Sequence, residues 1–517
     1  MSARRRLLPA AVVLSLLAPG PALAHEGSVK QPAAPGTAIA EAQEGEGSEN
    51  MEFIANLEFP EVVEDGAYRA TDLDFHTYRV NAAGKVLPPD ARGGQPRDFA
   101  FVGTALNGLQ VVDITDRARP EAVARYDCRI SQSDVFVFEQ GERVLAAYSL
   151  DAVAQNQPEG SDCHEDNGIT DAGERGTFLI DVTDPYDPQS VSFLPMAKGT
   201  HQVTVHPSGE YVYNSAAVVV TTEPGYIEVY DIGDRATPEE PELVDVIELL
   251  TGLDSHDMTF NADGTRLYSA ALTHSFVIDS SDPADNQIVA RILDPAINIH
   301  HDAHAVTVDT VYGEREFMLI GDELAGAVGT GTCPGGGVHV YEITGELEAA
   351  PVKVGAFFIP EVRATGDLDT CTAHVLDIQE EQQLISIAWY NAGVRVLDYS
   401  GLAELGPQGV SIGIAPFLGG SLTPGITEVG HYRFPDSNLW SAKVPEVEDD
   451  GSFYVYGGDI TRALDVFRFD ATAPRQPDGG EWVSPAQALT RATSVAVPAL
   501  ESGASDSWKE LLRVGDH

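Results

Sequence analysis

The chain has 517 residues and a formal net charge of −49, because 80 aspartates and glutamates stand against only 31 lysines and arginines. Nucleic-acid binding needs clustered basic side chains that neutralise phosphates, and this composition excludes it. The acidic excess predicts either a solvated acidic surface or the recruitment of cations.

The first 24 residues have the pattern of an export signal peptide. Arginines 4–6 precede an apolar run at 7–17, and Ala-Leu-Ala at 22–24 supplies the small residues of a cleavage site. The run is too short to span a bilayer, and no later stretch reaches the roughly 18–20 apolar residues that a spanning helix needs. We therefore expect a secreted or periplasmic, extracellular-type protein with no membrane span. The arginine pair also fits a twin-arginine signal, so the export route stays open.

One strand pattern recurs seven times after a lead-in at 25–51 that is rich in Ala, Gly and Glu and is expected to be flexible. The copies are GLQVVDITD (108–116), GTFLIDVTDP (176–185), GYIEVYDIGD (225–234), HSFVIDSSDP (274–283), GGVHVYEIT (336–344), GVRVLDYS (393–400) and RALDVFRFD (462–470). Most copies end in Asp or Glu and then a small or hydroxyl residue. This ending indicates a strand that leaves its sheet through an Asx-type or proline turn.

The spacing of the copies predicts the fold. Intervals of roughly 50–70 residues suit four short strands each, and few segments have the 3.6-residue period of a helix. We therefore predict an all-β protein, a seven-bladed β-propeller that forms a single domain at 52–470. The strand MEFIANLEF at 51–59 is the candidate for completing the last blade. Residues 471–517 are expected to form a loosely ordered tail.

The copies also resemble the LVIVD-repeat family of exported bacterial and archaeal β-propellers, which is named for this strand. The resemblance extends from Asn56 to about Ser400 and weakens in the last blade. It implies the propeller fold and export. It implies no activity, because a fold does not define a reaction.

Four cysteines, at 128, 163, 333 and 371, form no CxxC pair, which argues against a tetrathiolate zinc site. In an oxidising compartment two disulfides are expected. Four cysteines allow three pairings. The short separations favour Cys128 with Cys163 and Cys333 with Cys371.

The insertion DCHEDNGITDAGERG at 162–176 resembles a calcium-binding loop with Gly168 at its turn. Oxygen ligands would come from Glu165, Asn167, Asp171 and Glu174. Cys163 occupies the first ligand position, where an aspartate is usual, although Asp162 or Asp166 could replace it. The alternative is an acidic surface loop that is tied down by a disulfide.

Histidines recur at one position of the repeat. When the hairpins are aligned by their distance from the repeat strands, the matching residues are Thr71, Ser133, His201, His256, His304, His374 and Trp440. The innermost strand of a propeller blade lines the channel, so a residue at its head faces the channel mouth. We therefore expect the four histidines to converge there, with His300 and His301 close by.

This cluster predicts a transition-metal site for Zn, Cu or Fe with His201, His256, His301, His304 and His374 as candidate ligands, because neutral imidazole is a ligand for all three metals. Four aspartates near these positions would orient the ring nitrogens: Asp254, Asp257, Asp302 and Asp369. Two alternatives remain open. The histidines could bond the backbone of a neighbouring blade and buttress the ring, or they could line a ligand pocket that holds no metal.

Two classes of function follow, because the chain has no G-x-S-x-G elbow, no H-E-x-x-H helix and no glycine-rich phosphate loop. The first is an exported binding or scaffold module that engages a carbohydrate, a protein or an envelope component. The second is a metal-dependent oxidoreductase or hydrolase that uses the histidine cluster. We expect a monomer in either case.

Overall fold

The computed structural model describes part of the chain. The described residues are 45–60, 69–89, 93–130, 134–150, 157–216, 223–251, 254–323, 336–363, 371–406, 410–411, 424–474 and 480–491. Every described residue lies within one compact unit, Ala33–His517. The predicted signal peptide at 1–24 lies outside the described residues.

The described chain forms seven antiparallel sheets in a ring, and the prediction of a seven-bladed β-propeller is confirmed. The strands of blades 1 to 4, from the innermost strand outward, are Leu73–Val80, Gln95–Val102, Leu109–Asp113 and Glu121–Tyr126; Val135–Gln140, Arg143–Leu150, Gly176–Asp181 and Gln189–Pro195; Gln202–Val205, Tyr211–Ser215, Pro224–Asp231 and Glu242–Thr251; and Asp257–Phe260, Arg266–Ala271, His274–Asp279 and Gln287–Leu293.

Blades 5 to 7 include strands from the two ends of the described chain. From the innermost strand outward they are His300–Thr310, Gly313–Asp322, Val338–Glu342, Val352–Phe358 and Glu481–Val483; Leu376–Gln379, Leu384–Ala388, Val394–Asp398, Thr427–Arg433 and Glu46–Gly47; and Leu439–Lys443, Phe453–Asp459, Ala463–Phe469 and Met51–Leu57. The other elements include the strand pair Leu405–Gly406 and Val410–Ser411, the α-helix Asp162–Asp166, helical residues at 485–491, and 3₁₀ helices at Gly345–Ala349, Pro360–Arg363, Glu380–Gln382 and Ser400–Glu404.

The seven repeat copies are the third strands of the seven blades. These strands are buried on both faces, as in Leu109–Asp113 and Val394–Asp398, because each blade packs against a neighbour on either side. The predicted Asx turns follow them. Asp113 accepts the backbone N–H of Thr115 at 2.9 Å, and Asp181 accepts that of Thr183 at 2.9 Å.

The hydrophobic core lies between the blades. The buried apolar residues of the described chain form seven clusters, and each cluster combines side chains from two adjacent blades. For example, Phe101 of blade 1 shares a cluster with Tyr148 of blade 2. Burial of such side chains stabilises the native state by roughly 25 cal/mol per Å² of apolar surface, so each blade depends on both of its neighbours.

Polar bonds around the channel join the innermost strands. At five junctions a side chain accepts a backbone N–H of the next blade, at 2.6 to 3.2 Å: Asp74 from Val137, Asp134 from Val203, Gln202 from Met258, Asp302 from Leu376 and Asp377 from Val444. At the other two junctions a hydroxyl donates to a carbonyl: Thr259 to Ala303 and Ser441 to Thr71. These bonds satisfy backbone groups that would otherwise be buried without partners.

Parts of the predicted lead-in and tail that the structure describes form strands. The strand Met51–Leu57 closes blade 7, as predicted, by pairing with Ala463–Phe469. However, Glu46–Gly47 of the supposedly flexible lead-in pairs with Thr427–Arg433. In the supposedly loose tail, Glu481–Val483 pairs with Val352–Phe358, and the indole of Trp482 occupies space that a side chain at Gly355 would fill.

Candidate metal centre

Four histidines meet at the heads of the innermost strands of blades 3 to 6. The ring centroids lie 4.1 Å apart for His201 and His256, 4.2 Å for His256 and His301, and 4.1 Å for His301 and His374. Trp440 of blade 7 continues the arc, 4.4 Å from the ring of His374. We call the four histidines the histidine arc.

Blade 5 contributes His301 to this arc, where the sequence alignment had placed His304. The register of its innermost strand shifts between His300 and Asp302, so His301 sits at an irregularity. His304 lies three residues further along and bonds Asp302 at 3.0 Å through its Nε2 atom. His300 also stays out of the arc, because its Nδ1 atom bonds the hydroxyl of Ser275 at 2.7 Å.

Two carboxylates accompany the arc. Asp257 Oδ1 lies 3.0 Å from His256 Nδ1, and Asp257 Oδ2 lies 3.4 Å from His301 Nδ1. Glu323, which directly follows the second strand of blade 5, has carboxylate oxygens 3.8 Å from His301 Nε2 and 3.9 Å from His374 Nε2. Tyr390 donates a hydrogen bond of 2.7 Å to Glu323 Oε1 and fixes that carboxylate.

Among the described residues, two groups of three side chains offer ligand atoms within 4.8 Å of one another: His201, His256 and Asp257, and His256, His301 and Glu323. They share His256. Imidazole nitrogen with carboxylate oxygen is a donor set that suits zinc, copper and iron.

Burial keeps the imidazoles of His301 and His374 neutral, which is the form that binds metal. Burial, together with the neighbouring His374, His256 and His201, holds the pKa of His301 well below its usual value. Burial lowers the pKa of His374 to about 3. Burial also raises the pKa of Glu323 to about 7 and lifts that of Asp257 well above its usual value, with the charge of Asp302 adding to the effect on Asp257.

The tautomer of His374 follows from its backbone bond. Its Nδ1 atom lies 2.6 Å from the carbonyl oxygen of Trp440, and a carbonyl can only accept, so Nδ1 carries the proton. In the neutral ring the lone pair is therefore on Nε2, the nitrogen that faces Glu323. An outer bond that fixes ring orientation in this way is typical of metal-binding histidines.

His301 distinguishes a ligand site from structural buttressing. The residue is 1 % exposed, and neither of its ring nitrogens has a hydrogen-bond partner among the described residues. A buried polar group without a partner costs about 1–3 kcal/mol, so His301 gains nothing by buttressing its neighbours. The propeller is buttressed by the carboxylate, amide and hydroxyl side chains of the innermost strands that bond the next blade. The Nδ1 atom of His374 adds a bond to the carbonyl of Trp440 in blade 7.

A cavity of about 20 Å³ touches the arc. Its walls include His201, His301, His374, Asp257 and Trp440. A volume of this size holds about one water-sized group, so it can take a single ion or water but no organic molecule.

The remaining predicted residues lie elsewhere. Asp254 pairs with Lys198 at 2.6 Å. Thr71 heads the innermost strand of blade 1, and its carbonyl accepts the hydroxyl of Ser441. Ser133 and Asp369 lie outside the described residues.

The predicted calcium loop contains a short helix, Asp162–Asp166, that ends at Asn167. The amide nitrogen of Asn167 donates to the carbonyl of Cys163 and to the hydroxyl of Ser190. Glu165, Asp171 and Glu174 are exposed, and none belongs to a metal-capable group of the described chain. Calcium binding stays a prediction.

Cys128 and Cys163 form a disulfide with an S–S distance of 2.04 Å, which anchors the helix to blade 1. Cys371 is also disulfide-bonded. Cys333 lies outside the described residues.

Sequence reasoning missed Glu323 and Tyr390. Both lie in or next to loops that follow second strands, at positions where the repeat has no constant residue. No signal in the sequence alone distinguishes them from other loop residues.

No protein-family model and no curated protein matches the chain. Among solved structures, the β-propeller domain of Cps50 (Swd1) from Myceliophteria thermophila is similar to 79 % of this chain and 98 % of its own, with 10 % identity and a TM-score of 0.41. A functionally unknown protein from Desulfotomaculum acetoxidans is similar to 73 % of this chain and 95 % of its own, with 12 % identity and a TM-score of 0.38. In the described part of the chain, no helix has the length and apolar character to cross a membrane.

Proposed function

We propose that the protein is an exported binding module, a propeller of the LVIVD-repeat kind, that holds a transition-metal ion at the histidine arc. The single observation that carries this proposal is His301, a buried imidazole between His256 and His374 whose two nitrogens face carboxylates but make no hydrogen bond among the described residues. Zinc, copper and iron are the candidate ions. The expected carbohydrate, protein or envelope partner stays a prediction.

The small cavity beside the imidazoles has about 20 Å³ and admits one ion or water. This volume supports the binding of a single ion at the arc. The metal-dependent enzyme stays the alternative prediction.

Metal analysis of protein purified without a polyhistidine tag tests the proposal. We expect zinc, copper or iron at about one ion per chain after reconstitution and dialysis. The variant His301→Ala should lose this metal, because it removes the central ligand. The matched control His304→Ala should retain it, because His304 lies outside the arc and bonds Asp302.

A second variant tests the carboxylate beside the arc. Asp257→Asn should weaken metal binding by about 10–100-fold, as expected when a group that orients or assists metal-binding histidines is changed. Two results would refute the proposal: wild-type protein that retains none of the three metals, or a His301→Ala variant that binds metal as tightly as His304→Ala does.

A further inference from the structure

The central channel contains a second and much larger cavity, of about 580 Å³. It shares Asp134, Gln202 and Asp257 with the small cavity at the histidine arc and continues along the innermost strands past Thr204 and Thr259. Small-molecule sites in proteins have volumes of about 300–1,000 Å³. This cavity is therefore large enough for an organic ligand.

Carboxyl groups dominate the end of this cavity nearest the arc. Six aspartates from five blades line it: Asp72, Asp74, Asp134, Asp257, Asp302 and Asp377. Lys443 lies 2.8 Å from Asp72, and His304 lies 3.0 Å from Asp302. Among the residues that line the cavity, there is no other lysine or arginine to pair with the remaining four carboxyls.

The pKa values of these carboxyls are shifted, with burial as the largest cause. Burial raises the pKa of Asp74 to about 6 and also raises the pKa of Asp134 and of Asp377. For Lys443, burial acts to lower the pKa, but Asp72, Asp134 and Asp74 together raise it. The cavity thus already stabilises one alkylammonium group, its own lysine, and has carboxyls to spare for a second.

Aromatic side chains line the cavity further along the same strands. Asp134, Phe136 and Phe138 are alternate residues of blade 2, so the two phenylalanines lie roughly 7 and 13 Å along the strand from the aspartate. Phe260 and Met258 of blade 4 also line this wall. One end of the cavity is therefore acidic, and the rest combines this apolar surface with the polar side chains of Glu139, His206 and Asn261.

We propose that this cavity binds a small organic cation, a primary amine whose ammonium group lies among the aspartates and whose hydrocarbon body packs against the phenylalanines. An ammonium donates three hydrogen bonds and interacts favourably with aromatic faces. A bare metal ion fits less well, because the metal-capable groups of the described residues hold one carboxylate each and lie at the arc. This site goes beyond the proposed metal function and does not depend on it.

Calorimetry with three matched probes tests the amine site. The probes are 2-phenylethylamine, 2-phenylethanol and 3-phenylpropionate, added to metal-depleted full-length protein. We expect one amine bound per chain, the neutral alcohol to bind at least about tenfold more weakly, and the carboxylate not to bind. Equal binding of amine and alcohol, or no binding of the amine, would overturn the proposal.

Variants locate the site. Asp74→Asn should weaken amine binding by about tenfold and leave alcohol binding unchanged, because the amide has no charge. The amide oxygen can still accept the N–H of Val137, while the N–H of Phe75, which Asp74 also accepts, loses its partner. Asp377→Asn is the second variant in case the first does not fold. Asp450→Asn, an exposed position with the same charge change, is the control. Amine affinity that is unchanged in both cavity variants would place the amine elsewhere and refute the site.

The same measurement on His301→Ala separates the two proposals. This variant should lose the metal and retain the amine. Retained metal with no amine binding in wild-type protein would refute only the amine site, and amine binding without metal would refute only the metal site.

Discussion

At the scale of single residues, one irregularity in a strand decides which histidine joins the arc. The repeat allowed His201, His256 and His374 to be predicted, because each lies just before a short innermost strand. Blade 5 differs because its innermost strand, His300–Thr310, is the longest of the seven and shifts register near its start. Counting back from the repeat strand therefore gave His304. A register shift depends on local pairing, which single-sequence patterns do not encode.

His164 provides a residue-scale prediction about pH. It is fully buried, its Nδ1 atom lies 2.8 Å from the hydroxyl of Ser161, and its Nε2 atom has no partner among the described residues. Burial lowers its pKa to about 4. The unfolded chain takes up a proton near pH 6.5, whereas the folded chain does so only near pH 4. The contribution of neutral His164 to the stability of the folded protein is therefore complete above pH 6.5 and is lost as the pH falls toward 4.

The variant His164→Phe should reduce this acid sensitivity. When the pH falls from about 7 to 4.5, the unfolding free energy of wild-type protein should drop by about 2–3 kcal/mol, because folded His164 stays neutral while the unfolded chain binds a proton. Phenylalanine does not titrate, so the variant should not show this drop. Denaturant unfolding at the two pH values measures the difference. If wild-type and variant proteins lose the same free energy on acidification, His164 does not titrate in this way.

At the scale of elements, strands that are buried on both faces were the ones that could be recognised in the sequence. Third strands are apolar on both faces and end in an Asx turn, so their seven copies stood out. The fifth strands of blades 5 and 6 are only two or three residues long, and they carry no repeat pattern. They pair because the fourth strand of the same blade exposes its outer edge, which becomes available only when the blade has formed.

The closing strand of blade 7 gives the element-scale prediction. The side-chain amide of Asn56 donates to the carbonyl of Arg462 at 2.7 Å and to Asp465 at 2.9 Å, which ties the first described long strand to the last. Asn56→Ala removes both bonds and leaves buried acceptors less satisfied, so we expect a loss of about 1–3 kcal/mol in unfolding free energy.

Glu52→Ala is the matched control for Asn56→Ala. Glu52 lies on the same strand but is exposed, and exposed substitutions usually change stability by less than about 0.5 kcal/mol. Urea unfolding followed by circular dichroism compares the two variants. If the urea midpoints of the two variants coincide, the bonds of Asn56 in the closing strand contribute little to the stability of the propeller.

At the scale of the whole molecule, the fold brings together groups that the sequence separates widely. The arc collects residues from 201 to 374, and the large cavity collects carboxyls from Asp72 to Asp377. The order of the blades was predictable from the repeat, and with it the convergence of strand heads on one axis. The loop-borne Glu323 and the sharing of Asp257 between two histidines were not predictable, because they depend on side-chain directions at the channel.

The net charge of −49 gives the last prediction. Like charges at this density repel one another in the compact ring more than in the expanded unfolded chain, so repulsion lowers stability at neutral pH. Salt screens such repulsion over a Debye length that falls from about 30 Å at 0.01 M to about 3 Å at 1 M. We therefore expect the Tm at about pH 7 to rise steadily as sodium chloride increases across that range. Repeating the series near the sequence pI of about 4.4 is the control, because the net charge is then close to zero and the rise should largely vanish. A Tm at neutral pH that stays constant or falls with added salt would mean that the acidic residues are already compensated within the fold.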